Sequence, residues 1–134
     1  MADTMTEVLE GTRRIAVVGA SDDPSRASNE VMRTLLDAGY DVVPVNPGED
    51  SVHGVPAVGS LAEIEGPIDI VDVFRRPEHV PEIAREAAEA GAGTLWLQSG
   101  ITSSEGRRIA EEAGLGFVED TCLGSTVRHA GKSG

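Results

Sequence analysis

The residues of this chain best suited to hold an anion come in four short groups, each behind an apolar run. The first lies in "VVGASDDPSRAS", where Gly19 closes a β-branched run, Ala20 and Ser21 follow, and Arg26 stands just ahead of a helical pattern. A glycine there lets backbone come close to a pyrophosphate, and the N–H groups and dipole of the following helix would hold the negative charge. Without a ligand the same stretch is a tight β-to-α turn. Asp22 and Asp23 would repel phosphate if they pointed inward, so they should face solvent, with Arg26 offsetting them. The second group, Asn46–Pro47, stands where a nicotinamide dinucleotide site places an acid for the ribose diol. The second and third glycines of the dinucleotide fingerprint are missing as well. Both departures argue against NAD.

Arg75 and Arg76, behind Phe74 and ahead of Pro77, form the third group. Adjacent guanidiniums can grip phosphate bidentately, or can be no more than a solvated surface pair. The fourth is divided between "QSGIT", with Gln98, Ser99 and Gly100, and "EDTCLGS", with Cys122 flanked by Thr121, Gly124 and Ser125. A lone cysteine is either a small buried hydrophobe or a reactive thiol on the ligand rim. The neighbouring Asp120 would raise, not lower, a thiol's pKa, and no histidine or carboxylate is arranged to activate it. No hydrolase or transferase constellation is visible, so the chemistry on offer is binding.

At 134 residues the chain should be a single domain, residues 1–134 with an ordered core at about 10–129 and fraying after His129. Hydrophobic residues make up 40% and aromatics only 3%, so the core must be built from Val, Ile, Leu and Ala. A net charge of −12 repels nucleic acid and anionic lipid at long range while leaving room for a local basic pocket. No stretch approaches the roughly 20 apolar residues that span a bilayer, and the first residues lack a signal peptide's apolar run. Both point to the cytoplasm. One cysteine excludes an intrachain disulfide, and the three histidines, His53, His79 and His129, have no metal-ligand spacing, so no metal is expected.

Five near-continuous apolar runs must position these groups: Arg14–Val18, Asp41–Val45, Ile68–Phe74, Thr94–Leu97 and Gly116–Glu119. Alternating with helical patterns, they predict an α/β fold: a Rossmann-like doubly wound parallel sheet of five strands, order 3-2-1-4-5 in the numbering of the runs. The first helix should run from a Ser28 cap to Gly39, and the second over "RPEHVPEIAREAAEAG" with Val80, Ile83, Ala84, Ala87 and Ala88 inward. A Thr102–x–x–Glu105 capping box should open the third, with Ile109, Ala110 and Ala113 inward. Between the second and third runs the chain is too broken by Gly and Pro for a long helix, although Ser60–Glu65 could form a turn or two. In such a sheet all the quoted loops lie on one rim, at the carboxyl ends of the strands where ligands bind. An uncovered edge strand would favour pairing with a second copy of the chain.

From about Arg14 to His129 the chain resembles the small stand-alone CoA-binding proteins, which are similar to the N-terminal CoA-binding domain of the succinyl-CoA synthetase α subunit. The resemblance is carried by "IAVVGAS", "GYDVVPVNP", "IDIVDVFRRPE", "LWLQSGI" and the late cysteine in "EDTCLGS". It implies a Rossmann-like fold, CoA or an acyl-CoA bound across the strand ends, and a carrier or sensor without catalytic machinery. Ala20, Ser21 and Arg26 would then meet the nucleotide or its phosphates, Asn46 and Pro47 the adenosine, Phe74 and Arg75 the centre, and Gln98, Ser99 and Gly100 the pantetheine or pyrophosphate. Cys122 would lie near the pantetheine arm. The synthetase's lysine near the end of strand two has no counterpart here, which leaves the 3′-phosphate to Arg26 or Arg76. Its phosphohistidine domain is not part of the resemblance, so ligase activity is not carried over. The rival readings are an NAD(P)-dependent oxidoreductase and a regulatory interaction module.

Overall fold

The computed structural model describes residues 8–130. The expected fraying after His129 concerns residues that, apart from Ala130, lie outside this range. Five parallel strands form the sheet: β1 (Arg14–Val18), β2 (Asp41–Val45), β5 (Ile70–Val73), β6 (Thr94–Leu97) and β7 (Gly116–Val118). A two-stranded hairpin, β3 (Ser51–Val52) with β4 (Val55–Pro56), is set apart from it. Among the described residues, helices α1 (Ala27–Asp37), α2 (Val80–Glu89), α3 (Ser104–Glu112) and α4 (Leu123–His129) cover the two faces. Short 3₁₀ turns occupy Leu61–Glu63 and Pro77–His79. The fold is the expected Rossmann-like α/β sheet.

Alternation along the strands divides the apolar runs between two cores. Ala16, Val18, Val71, Val73, Leu95 and Leu97 face α2 and α3, where they meet Val80, Ile83, Ala84, Ala87 and Ala110. Ile15, Val17, Ile70 and Trp96 face the other way, onto Val31, Met32 and Leu35 of α1 and Leu123 and Val127 of α4. With both faces covered, near-continuous Val, Ile and Leu is what such strands require.

The strand order differs from the expected one. The sheet runs β2-β1-β5-β6-β7, so the third long strand lies between the first and the fourth and not outside the second. Two physical reasons account for this. All four residues of β5 are buried, a demand that only a central position meets. The outer side of β2 is already engaged by the chain returning from the hairpin: Val58 N–H donates to the Pro44 carbonyl at 3.0 Å, and Asn46 N–H to the Val58 carbonyl at 2.8 Å. The hairpin's turn is His53–Gly54, both residues at positive φ (52° and 77°), the two-residue geometry that matches strand twist.

Other boundaries also shift. The cap position of α1 is Arg26, while Ser28 is buried inside the first turn. Ser103, not Thr102, caps α3, its Oγ accepting the Gly106 N–H at 2.9 Å. Gly106 lies so close to Val80 of α2 that an added Cβ would come within 2.6 Å of Cγ1, and this contact sets the rotation of α3. In consequence Gly106 and Ala110 are buried and Ala113 is exposed. The small and polar stretch from Gly124 is helical to His129 as part of α4, which packs beside α1.

Candidate functional site

With this strand order the connections leave the sheet in opposite directions at β1 and β5, and the crevice of a doubly wound sheet opens there. An open cavity of ≈ 690 Å³ occupies that place. Gly19 forms its floor. The Gly19 N–H donates to the Val45 carbonyl at 3.0 Å, its φ is +86°, and a Cβ on it would sit 2.8 Å from the Phe74 carbonyl oxygen and 3.1 Å from Arg75 Cδ. Both the backbone angle and the lack of space select glycine.

Arg26, Arg75 and Arg76 all line this cavity and are exposed. Among the described residues none of them is in an ion pair, whereas Arg14, Arg33, Arg85, Arg107 and Arg108 are. Ala27 and Ser28, at the start of the 11-residue α1, open into the same space, and no side chain caps that helix end. Its first-turn N–H groups and dipole therefore add to the positive field. Asp22 and Asp23 are exposed, as expected. Asp23 bends back onto Ser25, accepting its N–H at 3.0 Å and its hydroxyl at 2.8 Å, and these bonds hold its carboxyl below the usual range.

Asn46 lines the cavity as a brace. Its Nδ2 donates to the Ala20 carbonyl at 2.8 Å and its Oδ1 accepts the Gly48 N–H at 2.8 Å, so it ties the loop after β1 to the loop after β2. A second tie runs from Asp22 N–H to Glu49 Oε2 at 2.9 Å. A third joins Asn29 Nδ2 to the Ser21 carbonyl at 2.9 Å.

The predicted residues thus fall into two sets. Gly19, Ser21, Arg26, Asn46, Phe74, Arg75 and Arg76 come together around the cavity. Ala20 is fully buried with its side chain in the α1-side core, and Pro47 is exposed outside the cavity lining. The second set gathers at the ends of β6 and β7. Gln98, 5% exposed, accepts the Leu123 N–H on its Oε1 at 3.0 Å; Gly100 N–H donates to Asp120 Oδ1 at 2.7 Å; Thr121 N–H donates to the Leu97 carbonyl at 3.2 Å. Cys122 is half-buried at the head of α4. Burial pushes its thiol up, but hydrogen bonds from the Ser125 N–H and hydroxyl, the Gln98 side chain and the Gly124 N–H outweigh that and hold it below its ordinary value. Glu49 and His79 also line the cavity and escaped the sequence reading. The signal for His79 was its helical spacing from the arginines, three residues after Arg76; for Glu49, a polar loop directly after β2.

A doubly wound sheet with a cationic switch-point crevice defines a Rossmann-like domain with a basic rim. The chain belongs to the CoA binding domain family, which it matches over residues 13–128. It is 47% identical over 124 residues to the protein YneT of Bacillus subtilis, covering 92% of this chain and 90% of that one. It is 33% identical over 137 residues to the α subunit of ADP-forming acetate–CoA ligase II of Pyrococcus furiosus, covering 94% of this chain but only 30% of the subunit. The solved structure of cell-free ID.343 from Thermus thermophilus superposes with a TM-score of 0.90 at 40% identity, covering 97% of this chain and 99% of that one. Among the described residues no helix is long and apolar enough to cross a membrane.

Proposed function

We propose that this chain binds CoA or an acyl-CoA across the carboxyl ends of its strands and acts as a non-catalytic carrier or sensor of it. The observation that carries this reading is the convergence of Arg26, Arg75 and Arg76, all unpaired among the described residues, with the uncapped α1 terminus on one cavity of a chain whose net charge is −12. Concentrating cation there in so acidic a protein suits a ligand with several phosphates. The adenosine diphosphate half lies in the cavity between the loops after β1 and β5. The pantetheine arm runs along the rim past Ser99 and Gly100 toward Cys122. Gln98 and Ala20 support these loops from within and leave contact with the ligand to their neighbours. Asn46 has both arms engaged by backbone, which leaves it poorly placed to replace the acid of a nicotinamide site.

Thermal unfolding in the presence of CoA, acetyl-CoA and NAD tests the proposal. A CoA ligand at about 100 times its Kd adds roughly 2.7 kcal/mol of stability and raises the Tm, and NAD leaves it unchanged. Equal shifts with CoA and NAD overturn it. Hydride transfer with a nicotinamide cofactor would reassign the chain to the oxidoreductases, and no response to any of these ligands would favour an interaction module.

A further inference from the structure

Asn46 spends its amide on backbone, yet a carboxylate reaches the same place three residues further along. The Glu49 N–H donates to the Asn46 carbonyl at 3.1 Å and the Gly48 N–H to Asn46 Oδ1 at 2.8 Å, so the segment "NPGE" folds back on itself directly after β2. The turn brings Glu49 to the cavity wall, half-buried, where its Oε2 accepts the Asp22 N–H of the loop after β1 at 2.9 Å. Among the described residues it is the one acid in a lining that holds Arg26, Arg75 and Arg76, its Oε1 has no hydrogen-bond partner, and it is in no ion pair. The tie to Asp22 calls only for an acceptor, which a glutamine carbonyl would supply equally well. What the carboxylate adds is a negative charge in an otherwise cationic cavity and a second oxygen that the protein leaves unused. Such an oxygen suits a hydroxyl donor, and in doubly wound sheets an acid beyond the second strand holds the ribose hydroxyls of an adenosine. The same charge repels a phosphate carried on that ribose.

We propose that Glu49 sets the cavity's choice of ribose: its free Oε1 accepts a hydroxyl of the ligand's adenosine, and its charge discriminates in favour of a ribose with both hydroxyls free and against one that carries a 3′-phosphate. The inference rests on the reading of the cavity as an adenine-nucleotide site but not on the pantetheine arm. The basic groups of the cavity serve the 5′-diphosphate without opposition from Glu49, whereas whichever arginine meets a 3′-phosphate does so against it. CoA carries that phosphate and dephospho-CoA does not, so Glu49 narrows the preference for CoA that the arginines alone would create. The case against a nicotinamide dinucleotide then stands on the two missing glycines of the first loop, which this turn does not restore.

Calorimetric titration of the full chain with ADP, 3′-phospho-ADP, dephospho-CoA and CoA tests this in the wild type, in Glu49→Gln and in Asp50→Asn. Glutamine keeps the acceptor for the Asp22 N–H and removes the charge; Asp50 is an exposed acid next to Glu49 but outside the cavity lining, and controls for charge acting at long range. Glu49→Gln should shift the affinity ratio of 3′-phospho-ADP to ADP by about tenfold toward the phosphorylated ligand, the scale of one hydrogen bond to a charged group, with an unchanged melt and no shift in Asp50→Asn. A ratio unchanged in Glu49→Gln, an equal shift in Asp50→Asn, or a lowered melt with both ligands weakened alike makes Glu49 a loop tie and overturns the proposal. A second measurement uses the wild type alone: 2′-deoxy-ADP or 3′-deoxy-ADP should bind about tenfold more weakly than ADP, and equal affinities for all three overturn it. A shift within the ADP pair when neither CoA nor dephospho-CoA binds upholds Glu49 and refutes the CoA reading. CoA and dephospho-CoA that bind with the same ratio in wild type and Glu49→Gln uphold the CoA reading and refute the role of Glu49, and no binding of any of these nucleotides to the wild type refutes both.

Discussion

Replacing Gly19 by alanine separates two effects that meet at the cavity floor, and two other glycines supply the controls. At Gly39, which ends α1 with φ +95°, an added Cβ finds nothing within 4 Å, so alanine there meets only the backbone strain. That strain is about 1–2 kcal/mol, reduced by roughly 0.4–1 kcal/mol because alanine also restricts the unfolded chain. Gly93 is the converse. It lacks a positive φ, but its Cβ would lie 2.8 Å from the Asp69 carbonyl oxygen, and Gly93 N–H is held to Ile68 at 3.0 Å, so the backbone has little freedom to yield. Crowding of this kind costs about 1–3 kcal/mol. Gly19 combines both, with φ +86° and a Cβ 2.8 Å from the Phe74 carbonyl oxygen. Gly19→Ala should therefore cost about 2–4 kcal/mol, near the sum of the two controls, and lower the Tm by roughly 10 °C. Urea and thermal melts of the three variants decide it. The strained variant must also part the ends of β1 and β5, so it should weaken CoA at temperatures where it remains folded. If Gly19→Ala is no worse than Gly39→Ala, the close approach of the Phe74 carbonyl is refuted as a constraint on that position.

Arg75→Ala or Arg76→Ala should weaken CoA more than dephospho-CoA by about 1.5–3 kcal/mol if that arginine holds the 3′-phosphate, with Arg26→Ala as the competing assignment; calorimetric titration with the two ligands distinguishes them, and equal losses place the arginine elsewhere. Gln98→Ala should cost about 1–3 kcal/mol by leaving the Leu123 N–H without its acceptor and should raise the pH at which Cys122 reacts with iodoacetamide; an unchanged melt removes Gln98 from the support of α4. Because the Asp72 pKa is raised in the folded state, stability is greatest below the usual carboxylate range and falls as pH rises toward the folded pKa, by about 1.4 kcal/mol per pH unit. Asp72→Asn should abolish that fall, and parallel pH profiles of urea stability in wild type and variant would contradict the assignment.

How much of this was legible beforehand varied with the kind of signal. Strand existence was plain, because uninterrupted runs such as "IAVV" and "LWL" suit a parallel sheet covered on both faces. Strand order was not. It depended on the hairpin at Ser51–Pro56, whose His53–Gly54 turn is a short-range signal hidden in a segment read as broken. Helix caps missed by one or two residues because Ser28, Thr102 and Ser103 are all good capping types, and tertiary contact chose among them: Gly106 against Val80 made Ser103 the cap. The rim arginines were legible by type and position. That Gln98 and Asn46 spend their amides on backbone was not, since a polar side chain on a ligand rim reads alike whether it faces the ligand or braces the loop behind it.

The change in strand order is also what makes a site of these residues. Were β5 outside β2, Phe74, Arg75 and Arg76 would emerge two strands from Gly19, roughly 10 Å away at the usual strand spacing, and the helix N-terminus of α1 would face the arginines only at a distance. With β5 beside β1, Phe74 N–H donates to the Val18 carbonyl at 2.9 Å and the arginines meet the loop after β1 directly. The same insertion determines the fate of Asp72. On an edge strand its carboxyl would find water; in the centre of the sheet it has no hydrogen-bond partner, and burial pushes it well above the usual carboxylate range. The pull that draws β5 inward is its own apolar content, Ile70, Val71 and Val73, acting against the cost of burying the one acid between them. Cationic rim and buried acid are therefore two results of one packing decision. Substitutions that weaken the hold of β5 on the centre must disturb both together, whereas truncating Arg75 or Arg76 touches the rim and leaves the titration of Asp72 where it was.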